Sequence, residues 1–131
     1  MKILIIDDST SIVEDVKKAL STINAKLISF KPDTFVFKDL VKQLVNLCIE
    51  ESFDIALVDS KLWANITGDM LIPVFKEYKI PFIAFSHNDD FNFSLGIRLG
   101  AIGYISKHLV YGRRGFSNYI FLNKFNSIIR Q

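Results

Sequence analysis

Lys2-Ile3-Leu4-Ile5-Ile6-Asp7-Asp8-Ser9 opens the chain with an unbroken apolar run that ends abruptly in two carboxylates and a hydroxyl. A strand with one wet face alternates apolar and polar residues, whereas a strand covered on both faces is apolar throughout. Residues 2–6 therefore read as an interior strand of a parallel sheet. The run is too short for a signal-peptide core, and no stretch of the chain approaches the ~18 apolar residues of a membrane span. Acidic residues directly at its carboxyl end lie where open α/β sheets bind their ligands.

Working outward, Ser9 and Thr10 offer helix caps. Ile12, Val13, Val16, Ala19, Leu20 and Ile23 then recur at helical spacing, which predicts a helix over 11–22. A short strand is expected at 26–30, a helix at 38–51 and a second fully apolar strand at 54–58, stopping at Asp59. Residues 34–37 stay ambiguous. A helix over 70–78 must hold Pro73 in its first turn, because only there is the missing N–H harmless. A strand at 81–85 follows. Asp89 and Asp90 are expected to cap a helix that Gly100 ends, a short strand covers 103–105, and a last helix covers 116–129. Strands alternating with helices imply a parallel sheet with right-handed crossovers.

The chain has 131 residues, is 50% hydrophobic and carries a formal net charge of +2, which fits one compact domain over residues 1–131 without a separate output unit. So much apolar content excludes a disordered chain, and so small a charge gives no electrostatic case for nucleic acid or a membrane surface as partner. Twelve phenylalanines supply large side chains for a core without covalent staples. Cys48, the single cysteine, reads as a small buried hydrophobe, and a reducing, cytoplasmic location is the simplest fit.

In this arrangement Asp7 and Asp8 end the first strand, Asp59 the third and Ser86 the fourth, while Lys107 follows the fifth. All five fall on one edge of the sheet. Taken singly, each aspartate or serine is an ordinary turn or cap residue and Lys107 an ordinary surface lysine. Taken together, three carboxylates repel unless a cation or proton compensates. Oxygen ligands without His or Cys suit Mg²⁺, which commonly bridges carboxylates to phosphate oxygens. Asp89 and Asp90 instead suit the dipole of the helix they precede.

These residues, in this order, resemble the receiver domain of two-component response regulators. The likeness is carried by residues 2–9, by Phe53-Asp54-Ile55-Ala56-Leu57-Val58-Asp59, by Ile83-Ala84-Phe85-Ser86, and by Gly100-Ala101-Ile102-Gly103-Tyr104-Ile105-Ser106-Lys107. The resemblance implies a flavodoxin-like (βα)5 three-layer sandwich with strand order 2-1-3-4-5. It implies Asp59 as phosphoacceptor, with Lys107 and Ser86 addressing the phosphoryl group. Asp7, Asp8 and Asp59 would hold Mg²⁺ with a backbone carbonyl, that of Lys61. The donor would be a histidine kinase, a phosphotransfer protein or a small acyl phosphate. Ser86 and Tyr104 would switch a surface built from the fourth helix, fifth strand and fifth helix that includes Arg98, Arg113 and Arg114. Output would then pass to a downstream protein, with a phosphorylation-dependent homodimer as one form of it.

Three features depart from the family pattern. His108 stands where the family usually has a proline joined by a cis bond, so either a trans bond or a strained one is expected after Lys107. The loop after Asp59 lacks the usual proline and reads one residue longer, with Trp63 either covering the site, meeting a partner or packing within the loop. Lys61, two residues past the acceptor, could pair with phosphoryl oxygens and crowd attacking water, which predicts slow self-dephosphorylation rather than enzymatic turnover. Two rivals by chemistry fit less well. A flavodoxin proper would find its flavin phosphate repelled by Asp7 and Asp8, and a haloacid-dehalogenase-like phosphatase needs a second aspartate where Ser9 stands. A receiver-like interaction module that needs no phosphorylation is the remaining alternative.

Overall fold

The computed structural model describes residues 1–131, the side chain of Ile97 excepted. Five parallel strands form one sheet: β1 (Lys2–Ile6), β2 (Lys26–Ser29), β3 (Ile55–Val58), β4 (Phe82–Ser86) and β5 (Gly103–Ser106). Their spatial order is β2-β1-β3-β4-β5, the flavodoxin-like order expected. The register pairs Ile6 with Val58 and Ser86 with Ser106, so the strand ends that carry polar residues finish level with one another.

Between the strands run α1 (Thr10–Ser21), α2 (Phe37–Glu51), α3 (Ile72–Glu77) and α4 (Asp89–Ser94). The period of two in β1 divides the core. Leu4 and Ile6 pack with Leu40, Leu44, Phe75 and Leu95 on one face, while Ile3 and Ile5 pack with Val16, Leu20, Phe121 and Phe125 on the other. Helices thus cover both faces, which is why Ile3–Ile6, β3 and Phe82–Phe85 are apolar throughout. Cys48 is buried, and that burial pushes its thiol up to about 11. Among the described residues no helix is long and apolar enough to cross a membrane.

The expected elements are present, with shifted ends and four local corrections. Asn88 caps α4 through its side chain, accepting from the Phe91 N–H at 3.0 Å, so Asp89 and Asp90 lie inside the first turn rather than at the cap. The helix expected to run on to Leu99 changes at Leu95 into a π-helical turn, Leu95–Leu99, which Gly100 ends at φ 87°. The region of 70–78 begins as a 3-10 turn, Gly68–Leu71, with Pro73 as the second residue of α3.

The last correction concerns the segment after β5. Lys107–Val110 forms a short helix, α5, and an antiparallel hairpin of β6 (Tyr111–Gly112) and β7 (Gly115–Phe116) follows before α6 (Asn118–Ile129). The helix expected from residue 116 therefore starts two residues later, with Ser117 as its cap. Arg113 and Arg114 form the exposed hairpin tip. The Tyr111 hydroxyl donates to Asp15 at 3.0 Å and so ties the hairpin to α1.

Candidate functional site

Asp7, Asp8 and Asp59 each offer a carboxylate oxygen, and these oxygens lie within 4.8 Å of one another. The backbone brings them together: Asp59 N–H donates to the Ile6 carbonyl at 3.0 Å, which clamps the end of β3 to the end of β1. Ser9 then turns the chain into α1, its N–H on Asp7 Oδ1 at 2.9 Å and its hydroxyl capping Ile12. Asp7 and Asp59 are buried and Asp8 is exposed, so the cluster has an inner side and an open side.

Lys107 arrives from β5 as the first residue of α5 and is 1% exposed. Its Nζ lies 2.6 Å from Asp7 Oδ2 and 3.1 Å from Asp59 Oδ2, and 5.2 Å above the Phe85 ring. Lys107 is therefore buried at the acidic edge rather than solvated. The bond to His108 is trans, like every other peptide bond among the described residues, so Lys107 reaches both carboxylates without the cis corner. The His108 ring packs edge-on against His87 at 4.7 Å in this corner. Burial, then the charges of Lys107 and His108, lowers the His87 imidazole below its usual range.

Burial raises both the Asp7 and Asp59 carboxyls above the ordinary range, and the Lys107 charge opposes it. Neighbouring carboxylates reinforce the rise, Asp59 acting on Asp7 and Asp8 acting on Asp59. Two acids held near each other with one lysine between them lack a full complement of positive charge. The donor set is oxygen only and partly open, which fits a hard divalent cation that keeps water ligands.

The loop after Asp59 folds back on the acceptor. Gly68 N–H donates to the Ser60 carbonyl at 2.8 Å, and a Cβ on Gly68 would sit 2.0 Å from the Asp59 carbonyl oxygen. Only glycine fits that approach. Lys61 pairs across from Thr67 in an isolated bridge whose hydrogen bonds come from the flanking residues, leaving the Lys61 carbonyl without a backbone partner among the described residues. Trp63 packs within the loop region, edge-on to Phe30 and stacked on Phe35, and all three line a cavity of about 200 Å³ that Asp7 and Asp8 also line. It stands beside the acidic cluster rather than over Asp59.

A second cleft, about 380 Å³, lies over the acceptor and is lined by Asp8, Asp59, Ser60, Lys61, Ser86 and His87. Ser86 is fully buried, accepts the Asn88 N–H at 2.9 Å and shares a hydrogen bond of 2.7 Å with Ser60 Oγ. Tyr104 is half exposed on β5, away from that cleft, and its ring faces Gly96 of the π-helical turn. Every expected site residue except Tyr104 thus gathers at one edge. Ser60 and Asn92 went unnoticed in the sequence. Asn92 is buried in α4, donates to the Ser86 carbonyl at 3.1 Å, and has Oδ1 without a partner. The one available signal was a hydroxyl residue directly after the strand-ending aspartate, and such a residue is also a common turn former.

No protein-family model and no curated protein sequence matches the chain. Solved structures do match. A two-component response regulator from Clostridium difficile superposes with a TM-score of 0.74 at 17% identity, covering 100% of this chain and 97% of that one. The BeF3-activated N-terminal receiver domain of Klebsiella pneumoniae RstA gives 0.73 at 19%, covering 100% of both chains. The Vibrio cholerae chemotaxis protein CheY4 gives 0.69 at 19%, covering 97% of each. Strand order, end-to-end coverage and the acidic edge agree, and the chain has the CheY-like fold of response regulator receiver domains.

Proposed function

We propose that this chain is a Mg²⁺-dependent receiver that accepts a phosphoryl group on Asp59 from a histidine kinase or phosphotransfer protein. The observation that carries the reading is the meeting of three carboxylates within 4.8 Å, with the Lys107 ammonium against two of them. A carboxylate oxygen of Asp59 attacks phosphorus, the bond from phosphorus to the donor breaks, and the donor leaves with the electron pair. The protein's part in such a transfer is mainly positioning and charge stabilisation.

Asp7, Asp8, Asp59 and the Lys61 carbonyl are the groups that would hold magnesium, which when bound supplies the positive charge this cluster lacks. Lys107 stands 3.1 Å from an Asp59 oxygen, close enough for its ammonium to follow a phosphoryl oxygen there. The Ser86 hydroxyl, lining the same cleft, donates to another. Its displacement would bias the face of α4, β5 and α6 around Tyr104, which meets a downstream protein or a second copy. Residues 1–131 then act as one receiver unit whose output is protein contact.

Incubation with acetyl phosphate or beryllofluoride in millimolar Mg²⁺ tests the reading by intact-protein mass spectrometry or fluorine-19 NMR. An adduct on wild type, absent from Asp59→Asn and absent in EDTA, is the expected result. No adduct on wild type, or an equal one on Asp59→Asn, overturns it in favour of a phosphorylation-independent interaction module.

A further inference from the structure

Ser60 makes two separate contacts at this site. Its backbone N–H donates to Asp59 Oδ1 at 2.8 Å, which orients the acceptor carboxylate. Its side chain turns elsewhere: Oγ lies 2.7 Å from Ser86 Oγ in a buried hydroxyl pair. Asn88 N–H donates to the same Ser86 oxygen at 2.9 Å. Two tethers therefore fix the Ser86 hydroxyl, and among the described residues it makes no hydrogen bond to Asp59, although both line one cleft. An ionised carboxylate would be the stronger acceptor, so this hydroxyl is bonded away from the acceptor it faces across the cleft.

We propose that Ser60 is a positioning residue that latches Ser86 away from the acceptor until a phosphoryl group forms there. This inference rests on the phosphoacceptor reading of Asp59 and adds a regulator to it. Either hydroxyl can donate in the 2.7 Å pair; the latch takes Ser86 as the donor to Ser60, and a phosphoryl oxygen, charged and the stronger acceptor, then wins the Ser86 proton. The Ser60 contact is lost in the same movement, and its loss offsets part of the gain. Ser60 thus holds down the affinity of the site for its own modification without touching the reacting atoms. The opposite role, a second hydroxyl ligand to the phosphoryl group, predicts an effect of opposite sign.

Ser60→Ala removes the hydroxyl and keeps the N–H that holds Asp59. The probe is beryllofluoride in millimolar Mg²⁺, titrated with bound fluoride read by fluorine-19 NMR. Ser60→Ala is expected to reach half-saturation at about two- to tenfold lower concentration than wild type, the equivalent of one neutral hydrogen bond. Ser60→Cys, with its weak thiol donor, falls between the two. In a Ser86→Ala background the gain disappears, because no hydroxyl remains to be released. Unchanged or weaker binding by Ser60→Ala, or a gain that persists without the Ser86 hydroxyl, overturns the latch and leaves Asp59 as acceptor. If wild type and Ser60→Ala alike bind no beryllofluoride, the acceptor reading falls and the latch with it.

Discussion

Lys107 Nζ touches Asp7 and Asp59 together, and all three groups are largely withdrawn from water. Removing one partner of a buried ion pair leaves the other charge uncompensated, which generally costs more than the pair contributes. Lys107→Met keeps the stem and deletes the charge, so it isolates this effect. The variant is expected to lose about 3 kcal/mol of stability at neutral pH by urea denaturation in EDTA. Added Mg²⁺ should recover part of the deficit, because a cation then stands near the same oxygens. A loss that is unaffected by magnesium would mean that Lys107 acts through packing on Phe85 rather than through charge. Lys61 is exposed and lines the cleft over Asp59. Its ammonium can shield a phosphoryl group from water there, and Lys61→Ala is expected to speed loss of phosphate from Asp59 several-fold in a gel-shift or phosphate-release assay. Rapid decay in wild type that the substitution leaves unchanged would remove Lys61 from that role.

Between elements, β5 packs closely on α6 at Gly103. A Cβ on Gly103 would lie 2.8 to 2.9 Å from three side-chain carbons of Ile128, closer than packed atoms tolerate. Gly103→Ala should therefore cost about 1 to 3 kcal/mol by overpacking, and Ile128→Val in the same chain should return part of it, a coupling that thermal unfolding of the four variants measures. Additive losses would show that the two positions do not share the strain. The sheet and its major helices were legible from sequence because burial on both faces writes continuous apolar runs, as at Ile3 to Ile6 and Ile55 to Val58. The acidic edge followed directly from where those runs stop. The segment from Lys107 to Phe116 was not legible. A four-residue helix and two-residue strands are too short to show a period, and Tyr111 packs on Phe116, which packs on Phe121, rather than following a repeating pattern. The Ser60 to Ser86 contact was equally hidden, since hydroxyl pairs 26 residues apart leave no mark in local sequence.

For the molecule as a whole, the acidic edge makes folding depend on protons and on magnesium together. The Asp7 and Asp59 carboxyls are raised from an ordinary value of 3.8, chiefly by burial, so the folded chain binds their protons more tightly than the unfolded chain does. A group raised on folding contributes stability that is fully present below its unfolded pKa and is lost as pH climbs through the folded one. In EDTA the Tm should accordingly fall as pH is raised above the ordinary carboxyl value of 3.8. Asp59→Asn replaces one raised acid with a neutral amide of the same shape, so its Tm should fall less over that range and lie above wild type at the alkaline end. Millimolar Mg²⁺ stabilises only a state that binds it, and binding requires the ionised carboxylates. The ion should raise the wild-type Tm most at the alkaline end, progressively less as pH falls and the carboxyls protonate, and hardly at all in Asp59→Asn. Differential scanning calorimetry of both proteins across that range distinguishes the outcomes. A wild-type Tm that rises with pH in EDTA would show that Lys107 already compensates both acids in full, and magnesium would then have no electrostatic deficit to relieve.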